Sequence, residues 1–111
     1  MSGAVPEISV TDAAKLLAGD KPPRLIDVRE QDEWDIARIP GAELLPLSQW
    51  PGIALEKLTD KSQPLLIQCH HGMRSARAAA WLLSQGFSDV TNLARGIDAW
   101  SGEVDAKVPR Y

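Results

Sequence analysis

The chain has 111 residues, enough for one compact domain and too few for a second core of useful size. A hydrophobic share of 44% and a charged share of 24% exclude a disordered or collagen-like chain. A formal charge of -3 gives no basic footprint for nucleic acid or an anionic membrane, and no apolar run reaches the length of a membrane span.

The chain reads as short strands alternating with helices, with no internal repeat or low-complexity tract. Glu7 to Val10 is a β-prone run. Thr11 and Asp12 then offer N-caps for a helix through Ala13, Ala14, Leu16 and Leu17, which Gly19 and the Pro22-Pro23 pair end. Arg24 to Val28 predicts a second strand, and the acidic Glu30, Asp32 and Glu33 suit the first turn of a short helix carrying Trp34. Pro40-Gly41 forces a turn. Ala42 to Leu47 is a candidate third strand, after which Ser48 caps a loose helix through Ile53, Leu55 and Leu58. Leu65-Leu66-Ile67-Gln68 has the short apolar form of a strand buried on both faces and delivers the chain to Cys69. Ser75 to Gln85 is the clearest helix, alanine-rich and stopped by Gly86. Val90 to Asn92 predicts a last strand and Ile97, Ala99 and Trp100 a closing helical turn. The polar residues from Ser101 to Tyr111 read as an extended or frayed end.

Such alternation predicts the α/β class, with right-handed βαβ units and a mostly parallel sheet covered on both faces. Ligands in these folds bind beyond the carboxyl ends of the strands, where Asp27 and Cys69 both fall. Cys69 is the single cysteine, so no internal disulfide forms, and Met1 to Pro6 lack the basic and apolar regions of a signal peptide. A reducing, cytoplasmic setting is the expectation.

Cys69-His70-His71-Gly72-Met73-Arg74-Ser75 leaves a buried strand and enters a helix within a few residues, which makes an anion cradle. The first amides of a helix lack internal partners, and its dipole adds roughly half a positive charge at that end. A thiolate at Cys69 is stabilised there, Arg74 adds a second favourable charge, and Gly72 lets successive amides converge. Asp27 is a candidate orienting residue that either accepts amides of the loop, pairs with an arginine or simply ends its strand in a turn. Arg29 either holds an anionic donor or pairs with Glu30 or Glu33. Cys69, His70 and His71 cluster, but adjacent residues do not easily turn toward one ion and no fourth ligand is evident, so no metal is expected. The histidines are read as shaping the pocket or facing solvent, and Trp34, Trp50, Trp81 and Trp100 as packing residues.

The run Cys69 to Ser75 resembles the active-site loop of the rhodanese family. Leu25 to Glu30, Ile39-Pro40-Gly41-Ala42 and Gly96-Ile97-Asp98-Ala99-Trp100 match that family's other motifs in the expected order, so the likeness spans nearly the whole chain. It implies a single three-layer α/β/α domain with a five-stranded parallel sheet in the order 3-2-4-5-1, which sets the Asp27 and Cys69 strands side by side. The core is placed at about residues 7–101, with 102–111 as the polar tail. Two positions depart from the pattern: Ala37-Arg38 stands where the family has Gly-His, and Arg95-Gly96 where it has paired glycines. Arg95 is a candidate to add positive charge at the pocket mouth.

The resemblance implies a sulfurtransferase with Cys69 as nucleophile and His70, His71, Gly72, Met73, Arg74 and Ser75 as the substrate-binding loop. Sulfur passes from a small anionic donor such as thiosulfate, through a Cys69 persulfide, to cyanide, a thiol or an accepting protein, with no cofactor. The alternatives are a cysteine phosphatase or arsenate reductase of the same fold, or a non-catalytic binding module. Four residues separate Cys69 from Arg74, one fewer than in a phosphatase of the related type, and a smaller ring of amides suits one sulfur atom better than a phosphate. A binding module would have no need to keep Cys69 and Arg74 in register.

Overall fold

The computed structural model describes residues 5–111. Five strands, β1 (Glu7–Ile8), β2 (Arg24–Asp27), β3 (Glu43–Leu44), β4 (Leu65–Gln68) and β5 (Val90–Leu93), form one parallel sheet in the order β1-β5-β4-β2-β3. This is the expected order read from the opposite edge. The edge strands β1 and β3 have two residues each, which leaves little open ladder to attract another chain. All four residues of the central β4 are buried, as a strand covered on both faces requires.

Five helices cover the sheet: α1 (Val10–Leu17), α2 (Gln31–Ile36), α3 (Gly52–Lys57), α4 (Met73–Ser84) and α5 (Gly96–Glu103). Successive strand residues point to opposite faces, so Leu65 and Ile67 join Ala78, Ala79 and Leu82 of α4 and Ala54 of α3 in one core. Leu66 instead joins Val10 and Ala13 of α1 and Ile97 and Trp100 of α5 in the other.

Several local expectations are corrected. Helix α1 is capped by Ser9, whose hydroxyl accepts from the Asp12 amide at 3.2 Å, so Thr11 and Asp12 sit inside its first turn. Ser48 caps no helix. It lies in a single 3-10 turn, Leu47–Gln49, and its hydroxyl donates to Glu30 Oε1. Strand β3 is shorter than Ala42 to Leu47, yet the amides of Leu45 and Leu47 continue the pairing by donating to Asp27 O and Val28 O. Helix α4 begins at Met73, two residues before Ser75.

The largest correction concerns residues 101–111. Ser101 is a buried residue of α5, and its hydroxyl donates to the carbonyl of Val108, which is itself buried in the core beside Trp100. Arg110 then pairs with Asp98, and Tyr111 packs on the cysteine loop. The apolar Val108 and the aromatic Tyr111 anchor a stretch whose polar composition suggested fraying.

Candidate active site

Strands β2 and β4 are neighbours, with Asp27 in register with Gln68, and their outgoing crossovers diverge: β2 leads toward β3 on one side and β4 toward β5 on the other. The crevice beyond their carboxyl ends is the topological switch point, and Cys69 lies there, 1% exposed.

From Cys69 the chain turns through His70, His71 and Gly72 into α4. Gly72 takes the left-handed conformation at φ 100°, and its amide points back to donate to Cys69 Sγ at 3.1 Å. Ser75, buried in the first turn of α4, places its hydroxyl 3.3 Å from the same sulfur. The sulfur thus faces an outward amide and a hydroxyl at the positive end of a three-turn helix.

Two supports of this loop come from distant residues. Asn92 of β5 accepts from the Ser75 hydroxyl at 2.5 Å, and its amide nitrogen donates to Gly72 O at 3.1 Å and Glu7 Oε2 at 2.8 Å. Those two acceptors fix which way the Asn92 amide points. Behind the loop, the first amides of α5 hold its carbonyls: Ile97 N donates to Cys69 O at 2.9 Å and Asp98 N to His70 O at 3.1 Å. Neither Asn92 nor these α5 amides were singled out in the sequence. An asparagine within a strand, where that residue type is depleted, is the signal that could have found the first.

Asp27 and Arg29 lie beside the loop but reach no loop group. Both side chains are fully buried and pair with each other, Arg29 Nη2 donating to Asp27 Oδ2 at 2.7 Å. Arg29 Nε also donates to Asp27, and the remaining contacts go to Glu33 O, Ala37 O and the Tyr111 hydroxyl. With the whole guanidinium engaged, Arg29 is a bracket between β2, α2 and the C-terminal residues and holds no anionic donor. Asp27 therefore takes the arginine-pairing alternative. Breaking this pair on one side strands a charge in the core, so Arg29→Met is expected to lower stability by about 3 kcal/mol in urea unfolding. The double variant Asp27→Leu with Arg29→Met should recover part of that loss, because no charge is then left unpaired.

Arg74 leaves the loop to meet Glu33 of α2, with Nη1 to Oε1 at 2.6 Å and Nη2 to Oε2 at 2.8 Å. This bidentate pair holds the Glu33 carboxyl down at about 2. His70 stacks between His71, at 3.9 Å, and Tyr111, at 4.0 Å with the planes 7° apart. Burial, with His71 beside it, keeps the His70 imidazole below its ordinary value, so it is neutral near pH 7. Nitrogens of His70 and His71 and a carboxylate oxygen of Asp98 lie within 4.8 Å of one another. The two rings are stacked with their planes 28° apart, and Asp98 already accepts from Arg110 at 3.0 Å.

Met73 is 71% exposed, and an open groove of about 460 Å³ runs past it between Arg77 and Arg95 on the outer side of the loop. Arg95 lines that groove and pairs with Glu103. Among the described residues no helix is long and apolar enough to cross a membrane.

A family model for the rhodanese-like domain matches residues 9–103. The chain is 37% identical over 108 residues to a protein of Pseudoalteromonas translucida named thiosulfate sulfurtransferase GlpE, across 96% of this chain and 99% of that protein. It is 43% identical over 91 residues to the rhodanese-like/PpiC domain-containing protein 12, chloroplastic, of Arabidopsis thaliana, covering 79% of this chain but only 30% of that protein. The crystal structure of a rhodanese-like domain protein from Staphylococcus aureus superposes with a TM-score of 0.81 at 27% identity, covering 96% of this chain and 99% of that one.

Proposed function

The chain belongs to the rhodanese-like domain family, and from that premise we propose that it is a sulfurtransferase carrying sulfane sulfur as a persulfide on Cys69. The observation that carries this reading is the Gly72 amide donating to Cys69 Sγ at the N-terminus of α4, with the Ser75 hydroxyl oxygen beside the same sulfur. Donors placed in advance around one sulfur stabilise negative charge without reorganising during the reaction. A relative named thiosulfate sulfurtransferase along its whole length supports the same reaction class.

The Cys69 thiolate attacks the outer sulfur of a donor. A new S–S bond forms, the donor's own S–S bond breaks with its electron pair, and from thiosulfate the leaving group is sulfite. The outer sulfur of the resulting persulfide is anionic and rests among the amides of His70 to Ser75. A nucleophilic acceptor, whether a thiol, cyanide or a protein, then attacks that sulfur and returns the thiolate. Neither half-reaction calls for a metal or organic cofactor. Asn92 keeps Ser75 in place, and α5 keeps the loop from backing away from the sulfur. A persulfide carrier with one thiol suits a reducing compartment, and we place the protein in the cytoplasm.

The test is intact-mass spectrometry after treatment with a sulfur donor. The protein should gain the mass of one sulfur atom and lose it on addition of cyanide. A protein that never gains sulfur from thiosulfate or from a persulfide would end this reading.

A further inference from the structure

We infer that Glu33 sets the donor preference of this site, favouring an organic hydropersulfide, which carries at most one negative charge, over the thiosulfate dianion. The inference deepens the reading of Cys69 as a sulfur carrier and rests on it.

Beyond the partial charge of the helix terminus, the groups that face Cys69 Sγ are a neutral amide and a neutral hydroxyl, so any full charge that draws a dianion comes from side chains around the loop. Among the described residues, four of those cations are paired with carboxylates, and Arg77 is not. Arg74, the only cation within the loop's own helix turn, is held by both oxygens of Glu33. Arg29 is paired with Asp27, Arg110 with Asp98 and Arg95 with Glu103. His70 is held neutral by burial, and Arg77 stands in the outer groove.

Glu33 is itself fixed in place. Its Oε1 accepts from the Glu30 amide at 3.1 Å, and its Oε2 accepts from the Tyr111 hydroxyl at 3.0 Å. That hydroxyl accepts in turn from Arg29 Nη1 at 2.6 Å, while the Tyr111 ring lies flat on His70. The carboxylate is therefore built into the wall of the site, and its pairing cancels the charge that Arg74 would otherwise present.

The two donor classes differ sharply in what they ask of such a wall. With thiosulfate, a thiolate meets a dianion and the reacting pair carries three negative charges, which end on the persulfide and on sulfite. An organic hydropersulfide carries one negative charge when ionised and none in the protonated form R–S–SH that the thiolate attacks. The Sγ–S bond forms, the donor's S–S bond breaks, R–S⁻ leaves, and the transferred sulfur then gives its proton to solvent to become the anionic outer sulfur of the persulfide, so the donor never brings more than one negative charge. A site in which four of the surrounding cations are already paired discriminates against the more highly charged reaction.

The experiment compares the rate at which Cys69 gains sulfur from thiosulfate and from 2-hydroxyethyl hydropersulfide, by intact mass, in the parent and in Glu33→Gln. Glutamine still suits the N3 position of α2 and can still meet Arg74, but it frees the guanidinium charge. The variant should load from thiosulfate roughly tenfold faster and from the hydropersulfide within about twofold of the parent. The double variant Glu33→Gln with Arg74→Gln should return to the parent's preference. An unchanged donor ratio in Glu33→Gln, with Cys69 still loading, would overturn the role of Glu33 and leave the sulfur-carrier reading intact. Failure of both donors to load the parent would overturn the reading itself. A second measurement needs no variant: the parent's thiosulfate rate should hold or rise with added salt, since screening relieves repulsion. A severalfold fall with salt would reveal an unpaired attracting cation and overturn the inference.

Discussion

Cys69→Ser is expected to abolish sulfur loading, with no gain in mass from either donor and turnover down by at least ~10³-fold. A serine hydroxyl is not ionised near neutral pH, and its oxygen cannot form the S–S bond on which both half-reactions depend. The fold should hardly notice, because serine fits the space and keeps a group that can accept from the Gly72 amide. Unfolding midpoints in urea are the control. Ser75→Ala should be milder: it removes the hydroxyl beside the sulfur and leaves Asn92 Oδ1 without its partner, for a loss of about tenfold. A serine variant at position 69 that still gained sulfur would move the chemistry to another residue, and no other thiol exists in the chain.

What could be read from the sequence follows from how local each feature is. The cysteine loop is one contiguous run between a buried strand and an alanine-rich helix, so strand, turn and helix signals met at Cys69 without knowledge of the fold. The α/β class was accessible from the alternation of strands and helices, and the strand order from the family resemblance that the motifs carry. The contacts that tune the loop are of another kind. Glu33 and Arg74 lie 41 positions apart, and Tyr111 and Glu33 lie 78 apart. No periodicity links such residues, and Glu33 read simply as an acid suited to a helix start. Arg29 was ambiguous for a related reason, because two of its partners are main-chain carbonyls, which carry no side-chain signature. The tail misled because its composition is polar, while its main anchors are the two residues Val108 and Tyr111.

The departure at Arg95-Gly96 leads to the second large effect. Both residues adopt positive φ, 62° at Arg95 and 55° at Gly96, yet only the second lacks room for a side chain. A Cβ on Gly96 would lie 2.1 Å from Cys69 O, 2.8 Å from His70 O and 2.9 Å from Cys69 C, all backbone atoms that cannot rotate away. The closeness has a purpose, since it lets the Ile97 and Asp98 amides reach those same carbonyls. Arg95 avoids this conflict, and its left-handed backbone costs only the ordinary strain of a residue with a side chain, about 1–2 kcal/mol. Arg95→Gly should therefore fall within about 1 kcal/mol of the parent, because relief of that strain is offset by the added freedom of the unfolded chain and the lost pair with Glu103. Gly96→Ala must push α5 and the cysteine loop apart, and it is expected to cost about 4–5 kcal/mol. Molecules that still fold should load sulfur poorly, since the Cys69 carbonyl will have lost its tether. Gly41→Ala is the control: its φ is +86°, and a Cβ there would meet nothing within 4 Å, so it isolates backbone strain from collision. Urea unfolding of the three variants separates the two terms. If Gly96→Ala proved no more costly than Gly41→Ala, the close approach of α5 would not be what holds the loop in place.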